Sequence, residues 1–361
     1  MVHLFSVFSK VIALITGVNV FLHVLFLSCF NRKKWLGALA GLVLGGLAAY
    51  LMRDIFTTTG MAMLNFSAAL IGMDLIGLFL RLFGKGNPHA FYKKWKRRGL
   101  ALFVAAVYTA YGLVNIHVVR RTEYELINAN VPDKMKIGLV SDSHLGTAMD
   151  DEKLLAVILN VIDEGADIVV LAGDIVDERT DKEMFLRFAE GMKAVRAPKG
   201  VYFVFGNHDA SRYGGNITRL EMETAFALSG VTVLTDESVL IDEWLRIVGR
   251  DDANRDRKEI GALLENADLE KEFILLIDHQ PAETAASSLS GADLLLSGHT
   301  HNGQIFPINL ISELFMINEI KYGHKKIGDM DAVVSSGVAG WGSAFRTAGR
   351  SEYVIINVYN E

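Results

Sequence analysis

The residues of this 361-residue chain that could do chemistry stand in five short clusters: Asp142-Ser-His144, Gly173-Asp174, Gly206-Asn-His-Asp209, His279 and Gly298-His-Thr-His301. Five of the ten histidines, at 144, 208, 279, 299 and 301, lie in them. A single histidine is more often a packed or surface residue; five in one recurring setting are a ligand set. Carboxylate, amide and imidazole donors together suit hard or borderline divalent cations. The one cysteine, Cys29, sits in an apolar run, so a disulfide framework and a thiolate metal site are both excluded.

What must position these clusters is a set of buried strands, because each cluster follows a short apolar run. Ile137–Val140 leads into Asp142 and His144, the 167–171 run into Asp174, and Val201–Phe205 into Asn207, His208 and Asp209. Phe273–Ile277 leads into His279, and the 293–296 run into His299 and His301. A strand ending in Asp-x-His delivers both side chains to the carboxyl edge of a sheet, where open α/β sheets bind ligands. Between the runs, Leu154, Leu155, Ile158, Leu159 and Ile162 recur at helical spacing, and further helices are expected over 181–194 and 219–229. Short strands are expected near 231–234 and 245–249, and alternating tail segments at 333–336 and 353–358 read as closing strands. The pattern predicts an α/β domain with two packed sheets.

In this order, Asp-x-His, Gly-Asp, Gly-Asn-His-Asp, a lone His and Gly-His-Thr-His resemble the calcineurin-like metallophosphoesterases over residues 136–361. Gly298-His-Thr-His-Asn-Gly-Gln304 and Gly340-Trp-Gly-Ser-Ala-Phe-Arg346 are similar to the membrane-associated bacterial branch, which includes enzymes that cleave the pyrophosphate of a UDP-linked lipid A precursor. Asn302 stands where that branch more often has glycine. The resemblance implies a four-layer αββα sandwich of two mixed sheets and a site for two divalent ions, Mn, Zn or Fe. Asp142, His144, Asp174 and His301 would hold one ion, and Asp174, Asn207, His279 and His299 the other, with Asp174 shared. It further implies attack by a metal-bridging hydroxide and His208 as general acid with Asp209 orienting it. Asp177, in Gly-Asp-Ile-Val-Asp, is read equally as an outer support of the site or as a surface acid.

Composition divides the chain. Twelve Lys/Arg against Asp54 and Asp74 give residues 1–119 a net charge of +10, which leaves −16 for the rest of a chain whose total is −6. The acidic part argues against a nucleic-acid substrate. In the basic part, Val11–Phe30, Trp35–Met52, Gly60–Leu80 and Gly99–Val119 are long apolar runs that predict an all-α, four-helix transmembrane region, with Gly37, Gly41 and Gly45 on one close-packing face. The Lys/Arg loops after the first and third runs place that side in the cytoplasm and the remainder of the chain outside it. The expected organisation is a transmembrane anchor over 1–119, a linker over 120–136 and a metallophosphoesterase domain over 137–361, in an integral, multi-pass cell-membrane protein. Asp74, alone in a span, is expected to reach the basic loop.

Between Gln304 and Lys326, Phe306, Leu310, Leu314 and Phe315 crowd beside Lys321, His324, Lys325 and Lys326. This run is read either as core or as a lip that meets the lipid bilayer, with Trp341 and Arg346 lining the same mouth. The function that follows is hydrolysis of a phosphate ester or pyrophosphate, with a lipid-linked substrate favoured. The other readings are a phosphodiesterase or phosphatase acting on small soluble substrates, and a non-catalytic membrane module that kept the fold.

Overall fold

The structure, a computed structural model, describes residues 10, 13–14, 16–18, 20–21, 34–52, 54, 56–83, 95–209, 213–307, 309–310, 314 and 319–360. It divides into two compact units, one of residues 1–114 with 342–345, the other of residues 115–341 with 346–361.

Among the described residues the first unit includes the helices α1 (Lys34–Leu51), α2 (Thr58–Phe83) and α3 (Trp95–Asn115). Among the described residues no helix is long and apolar enough to cross a membrane. This overturns the expected four-helix transmembrane region and the integral, multi-pass placement with an extracytoplasmic domain. The apolar runs are real, but the helices that carry them are too short or too polar. The 18 residues of α1 rise only about 27 Å, short of the roughly 30 Å of a hydrocarbon core. The longer α2 opens on Thr58 and Thr59 and carries Asn65, Ser67, Asp74 and Arg81, and α3 opens on Trp-Lys-Arg-Arg. Asn65 Nδ2 donates to Thr109 Oγ1 at 2.9 Å, so polar groups bond to one another within this unit. The run 11–30 lies largely outside the described residues, as do the side chain of Asp74 and the basic loop it was expected to meet.

Among its described residues the second unit holds twelve strands. Five apolar stretches give β2 (Lys134–Val140), β3 (Ile168–Ala172), β4 (Val201–Val204), β8 (Phe273–Ile277) and β9 (Leu294–Ser297). With β1 (Val119–Ile127), β5 (Val231–Val233) and β12 (Ser351–Tyr359), the first three form a six-stranded sheet in the order β1-β12-β2-β3-β4-β5. The other two join β6 (Glu237–Ile241), β7 (Leu245–Gly249), β10 (Gly323–Ile327) and β11 (Met330–Val334) in the order β10-β11-β9-β8-β7-β6. Both sheets are mixed: β2 through β5 run parallel while β12 opposes β2, and β7, β8, β9 and β11 run parallel between antiparallel edges.

Alternation along each strand separates the layers. Phe273, Leu275 and Ile277 join Ile137, Leu139, Ile168, Val170, Leu294 and Leu296 in the core between the sheets. Ile274, Leu276 and Leu295 face the opposite way, into a second cluster with Ile260 and Leu263 of the short helix α7 (Ile260–Leu263). The period of two makes one strand serve both cores. On the outer face of the first sheet lie α4 (Asp151–Asp163), α5 (Lys182–Met192) and α6 (Arg219–Leu228), whose buried faces include Leu154, Ile158, Phe185, Phe188 and Phe226. Asp150, Asp181 and Thr218 cap the three helices, each accepting a backbone N–H one turn on.

Residues 120–136 are not a linker. Val119–Ile127 is an edge strand paired in parallel with Ser351–Tyr359 along its whole length. It reads as polar because Arg121, Glu123 and Glu125 face solvent while Thr122 and Leu126 are buried. Charges on an edge strand are a usual guard against unwanted pairing.

Candidate metal centre

Because their strands are parallel, β2, β3, β4, β8 and β9 all end at one edge of the sandwich, and the five clusters converge there. Two groups of ligand atoms lie within bonding reach of a common point: Asp142, His144 and His301, and Asp174, His279 and His299. The groups are joined through Asp174, whose Oδ2 lies 3.1 Å from His279 Nε2 and 3.8 Å from His144 Nε2. Asp142, His144, Asp174, His299 and His301 all have left-handed backbones, with φ of 56, 40, 52, 70 and 48°. Non-glycine residues in that region carry strain that the surrounding structure must hold, and they gather at functional sites.

The donor set fits a cation. Nδ1 of His279 meets the Ala172 carbonyl at 2.7 Å, and a carbonyl can only accept, so that nitrogen carries a proton and Nε2 faces Asp174, whose charge outweighs burial and holds His279 well above its ordinary value. Nε2 of His144 and Nε2 of His301 face each other at 3.3 Å, a pairing in which at most one nitrogen can donate. Asn207 Oδ1 and His301 Nδ1 are buried without a hydrogen bond. Buried acceptors that oppose one another are costly unless something positive lies between them. Burial pushes His144 down to about 3 and His299 down to about 4, and drives His301 well below its ordinary value. These imidazoles are therefore neutral, the form that binds metal. Burial works against ionisation of Asp174 as well, but His279 outweighs it and holds the carboxyl well below the usual range.

Close packing sets the carboxylates in place. A Cβ on Gly298 would lie 2.3 Å from Asp142 Oδ2 and 2.7 Å from Ser141 Oγ. A Cβ on Gly206 would lie 2.2 Å from Asp174 Oδ1. Asp142 is also gripped by the His299 N–H, at 3.0 and 3.1 Å from its two oxygens. Gly298→Ala should therefore dislodge Asp142 and lower metal affinity by about tenfold or more, the scale of losing a ligand's outer support. Metal titration of the folded variant checks this.

Asn207, His208 and Asp209 follow β4 in one turn, yet their side chains part company. The carboxylate of Asp209 does not orient the His208 ring. Its Oδ2 accepts from the Asp174 and Gly206 N–H groups at 2.7 and 2.8 Å, and its Oδ1 from Val176 N–H at 3.1 Å. It ties the β3 loop to the β4 loop, and burial pushes it up to about 7. The His208 ring instead places Nδ1 3.1 Å from Glu178 Oε2, and its backbone N–H donates to Asp174 Oδ1 at 2.7 Å. Glu178→Gln should lower kcat about tenfold, at the weak end of acid–base contributions, with bound metal unchanged. Paired rate and metal measurements read this directly.

Two features, Glu178 and the charge network around Asp278, were not read from the sequence. Asp177 lies 3.7 Å from His144 Nδ1 and accepts from Thr147 Oγ1, in keeping with an outer role. Asp278, next to His279, takes Arg257 at 2.9 Å and Arg250 at 3.4 Å, and both arginines reach Glu283 at 3.0 and 2.7 Å. The signal for this last network was Gly249-Arg-Asp-Asp252, one more polar cluster after a strand at the same edge. Arg346, expected at the mouth, is fully buried. Its guanidinium donates to the carbonyls of His301 and Arg350 at 3.1 and 3.0 Å, to Ser336 at 2.9 Å, and to Ala339. In the 304–326 run, residues 308, 311–313 and 315–318 lie outside the described residues. Phe306, Leu310 and Leu314 are exposed, while Lys321 donates to the Asn309 carbonyl and His324 pairs with Asp331.

Comparison with known proteins agrees with this edge. Residues 135–303 match the calcineurin-like phosphoesterase family. An uncharacterized metallophosphoesterase of Aquifex aeolicus is 30% identical over 71% of this chain and 98% of its own length. One from Campylobacter jejuni is 27% identical over 80% of this chain and 76% of its own. A Danio rerio protein described as a transmembrane protein with metallophosphoesterase domain is 28% identical over 70% of this chain, which spans only 60% of that relative. The chain belongs to the calcineurin-like phosphoesterase family and is a metal-dependent phosphoesterase.

Proposed function

We propose that this chain hydrolyses a phosphate ester or pyrophosphate at a pair of divalent ions. Asp142, His144 and His301 would hold one ion, His279, His299 and Asn207 the other, and Asp174 both. The observation that carries the reading is the convergence of four imidazoles, those of His144, His279, His299 and His301, on the carboxylates of Asp142 and Asp174 at one edge. When bound, such a pair supplies Lewis acidity and an activated water. The residues do the rest. Asn207, which follows β4 at the same edge with a buried amide oxygen that lacks a hydrogen bond, would set its amide beside a phosphoryl oxygen. His208, half-buried beside Glu178, holds a proton at Nε2 for the departing oxygen. Asp209 keeps Asp174 and His208 in register by bonding the backbone of both loops.

A lipid-linked substrate belongs to the finer form of this reading, and its support is the exposed Phe306, Leu310 and Leu314. The test is metal analysis of the purified chain together with a panel: an aryl phosphodiester, a phospholipid and a nucleotide-linked lipid, each with manganese or zinc. Two equivalents of metal and chelator-sensitive hydrolysis are expected. Hydrolysis that survives chelation would refute the reading, and turnover of the aryl diester with neither lipid would remove the lipid-linked part.

A further inference from the structure

Most site residues are buried, but His208 and His299 keep some surface, so the site opens on their side. What stands there is aromatic. The ring of Trp341 lies 5.4 Å from that of His208 at an interplanar angle of 43°, and the ring of Tyr213 lies 4.9 Å away at 52°. Both rings are half-buried. Trp341 is also held from behind. Gln304 Oε1 accepts the Trp341 N–H at 3.0 Å, and Gln304 Nε2 donates to the Trp341 carbonyl at 3.1 Å. Gln304 itself sits in a left-handed conformation at φ 48° on the loop that carries His299 and His301. The loop that presents two metal-site imidazoles thus also clamps the tryptophan against the third histidine of the mouth.

We infer that Trp341 and Tyr213 wall the leaving-group subsite, and that the enzyme selects phosphate esters whose leaving group presents a flat π face. The inference rests on the reading of His208 as the proton donor. The oxygen that His208 protonates stays bonded to the leaving group until the ester breaks, so that group must lie against whatever borders the His208 ring. Two aromatic faces offer stacking, which is tolerant of identity and strong for planar partners. The ionisable side chain bonded to His208 there is Glu178, whose negative charge disfavours an anionic leaving group. An aryl ring on the scissile oxygen and a nucleoside share the chemistry these walls recognise.

The experiment compares wild type, Trp341→Ala, Trp341→Phe and Gln304→Ala in the full chain with manganese. The substrates are phenyl phosphate, adenosine 5′-phosphate and glycerol 3-phosphate, or their methyl diesters if the wild type prefers these. Trp341→Ala should lose about tenfold more kcat/KM on the planar substrates than on glycerol phosphate, chiefly through KM. Trp341→Phe should recover most of that loss, Gln304→Ala should repeat it, and metal content should not change. Loss on phenyl phosphate alone would place the ring on the scissile oxygen, and loss on the nucleotide alone would place the base at the wall; either supports the inference. Equal losses on all three substrates, or none, would overturn it while leaving the hydrolase reading intact. A wild type that cleaves none of them with metal bound would instead count against the hydrolase reading itself.

Discussion

Asp174→Asn should cost more than about a hundredfold in hydrolysis, beyond the 10- to 100-fold typical of outer-shell losses, and the purified variant should retain little metal. Asp174 stands between the two ligand groups, its Oδ2 facing a histidine of each. Asparagine keeps the shape and one acceptor, so the His208 N–H can still bond to it. What disappears is the negative charge that offsets burial next to His279 and His144. The fold should survive, since Asp174 N–H still reaches Asp209. Rate, metal content and melting temperature measured on one preparation separate the outcomes. A variant with full metal and normal turnover would show that Asp174 is not the shared ligand.

Arg346→Met should lower stability by about 3–5 kcal/mol, the scale of breaking a buried charged network. That corresponds to a fall in Tm of about 10 °C for a domain of this size. The guanidinium is wholly buried, and burial lowers it to about 10 even with Asp142 nearby. Its value lies in the four carbonyls it satisfies, on Ser336, Ala339, Arg350 and His301. Methionine fills the volume but removes this donor from all four; His301 keeps the Gln304 N–H and Arg350 the Ser336 hydroxyl, while a carbonyl left orphaned costs about 1–3 kcal/mol. One of the four belongs to His301, so metal affinity should fall with stability. Thermal melting with and without manganese tests both, and a Tm within about 2 °C of wild type would rule out this role.

The metal-site clusters could be read from the sequence because each follows an apolar run, and a parallel strand can only end at one edge. What stayed hidden depended on facts a linear pattern does not carry. The strand β1 alternates charged and buried residues on an edge, so its Arg121, Glu123 and Glu125 read as a solvated bridge. Asp209 follows His208 directly, which suggested a pair, but successive residues in a tight turn point apart, and Glu178 from the neighbouring loop takes the ring. Arg346 was read as lining the mouth beside Trp341, and only the fold shows the cage of carbonyls that holds its guanidinium buried. The four apolar runs at the front were read by length and composition, whereas the helix over the third, Thr58–Phe83, overshoots it at both ends, and that over the fourth, Trp95–Asn115, begins on Trp-Lys-Arg-Arg before it and ends short of it.

The strand order has a consequence for the timing of assembly. Residues 351–359 are inserted between β1 and β2, two strands synthesised long before them. During translation the earlier strands therefore wait with a vacant slot between them, and β2, which delivers Asp142, lacks a neighbour on one side until that late segment arrives. Nascent chains released before residue 351 should emerge protease-sensitive, and ion uptake should be an event that follows synthesis rather than one that guides it.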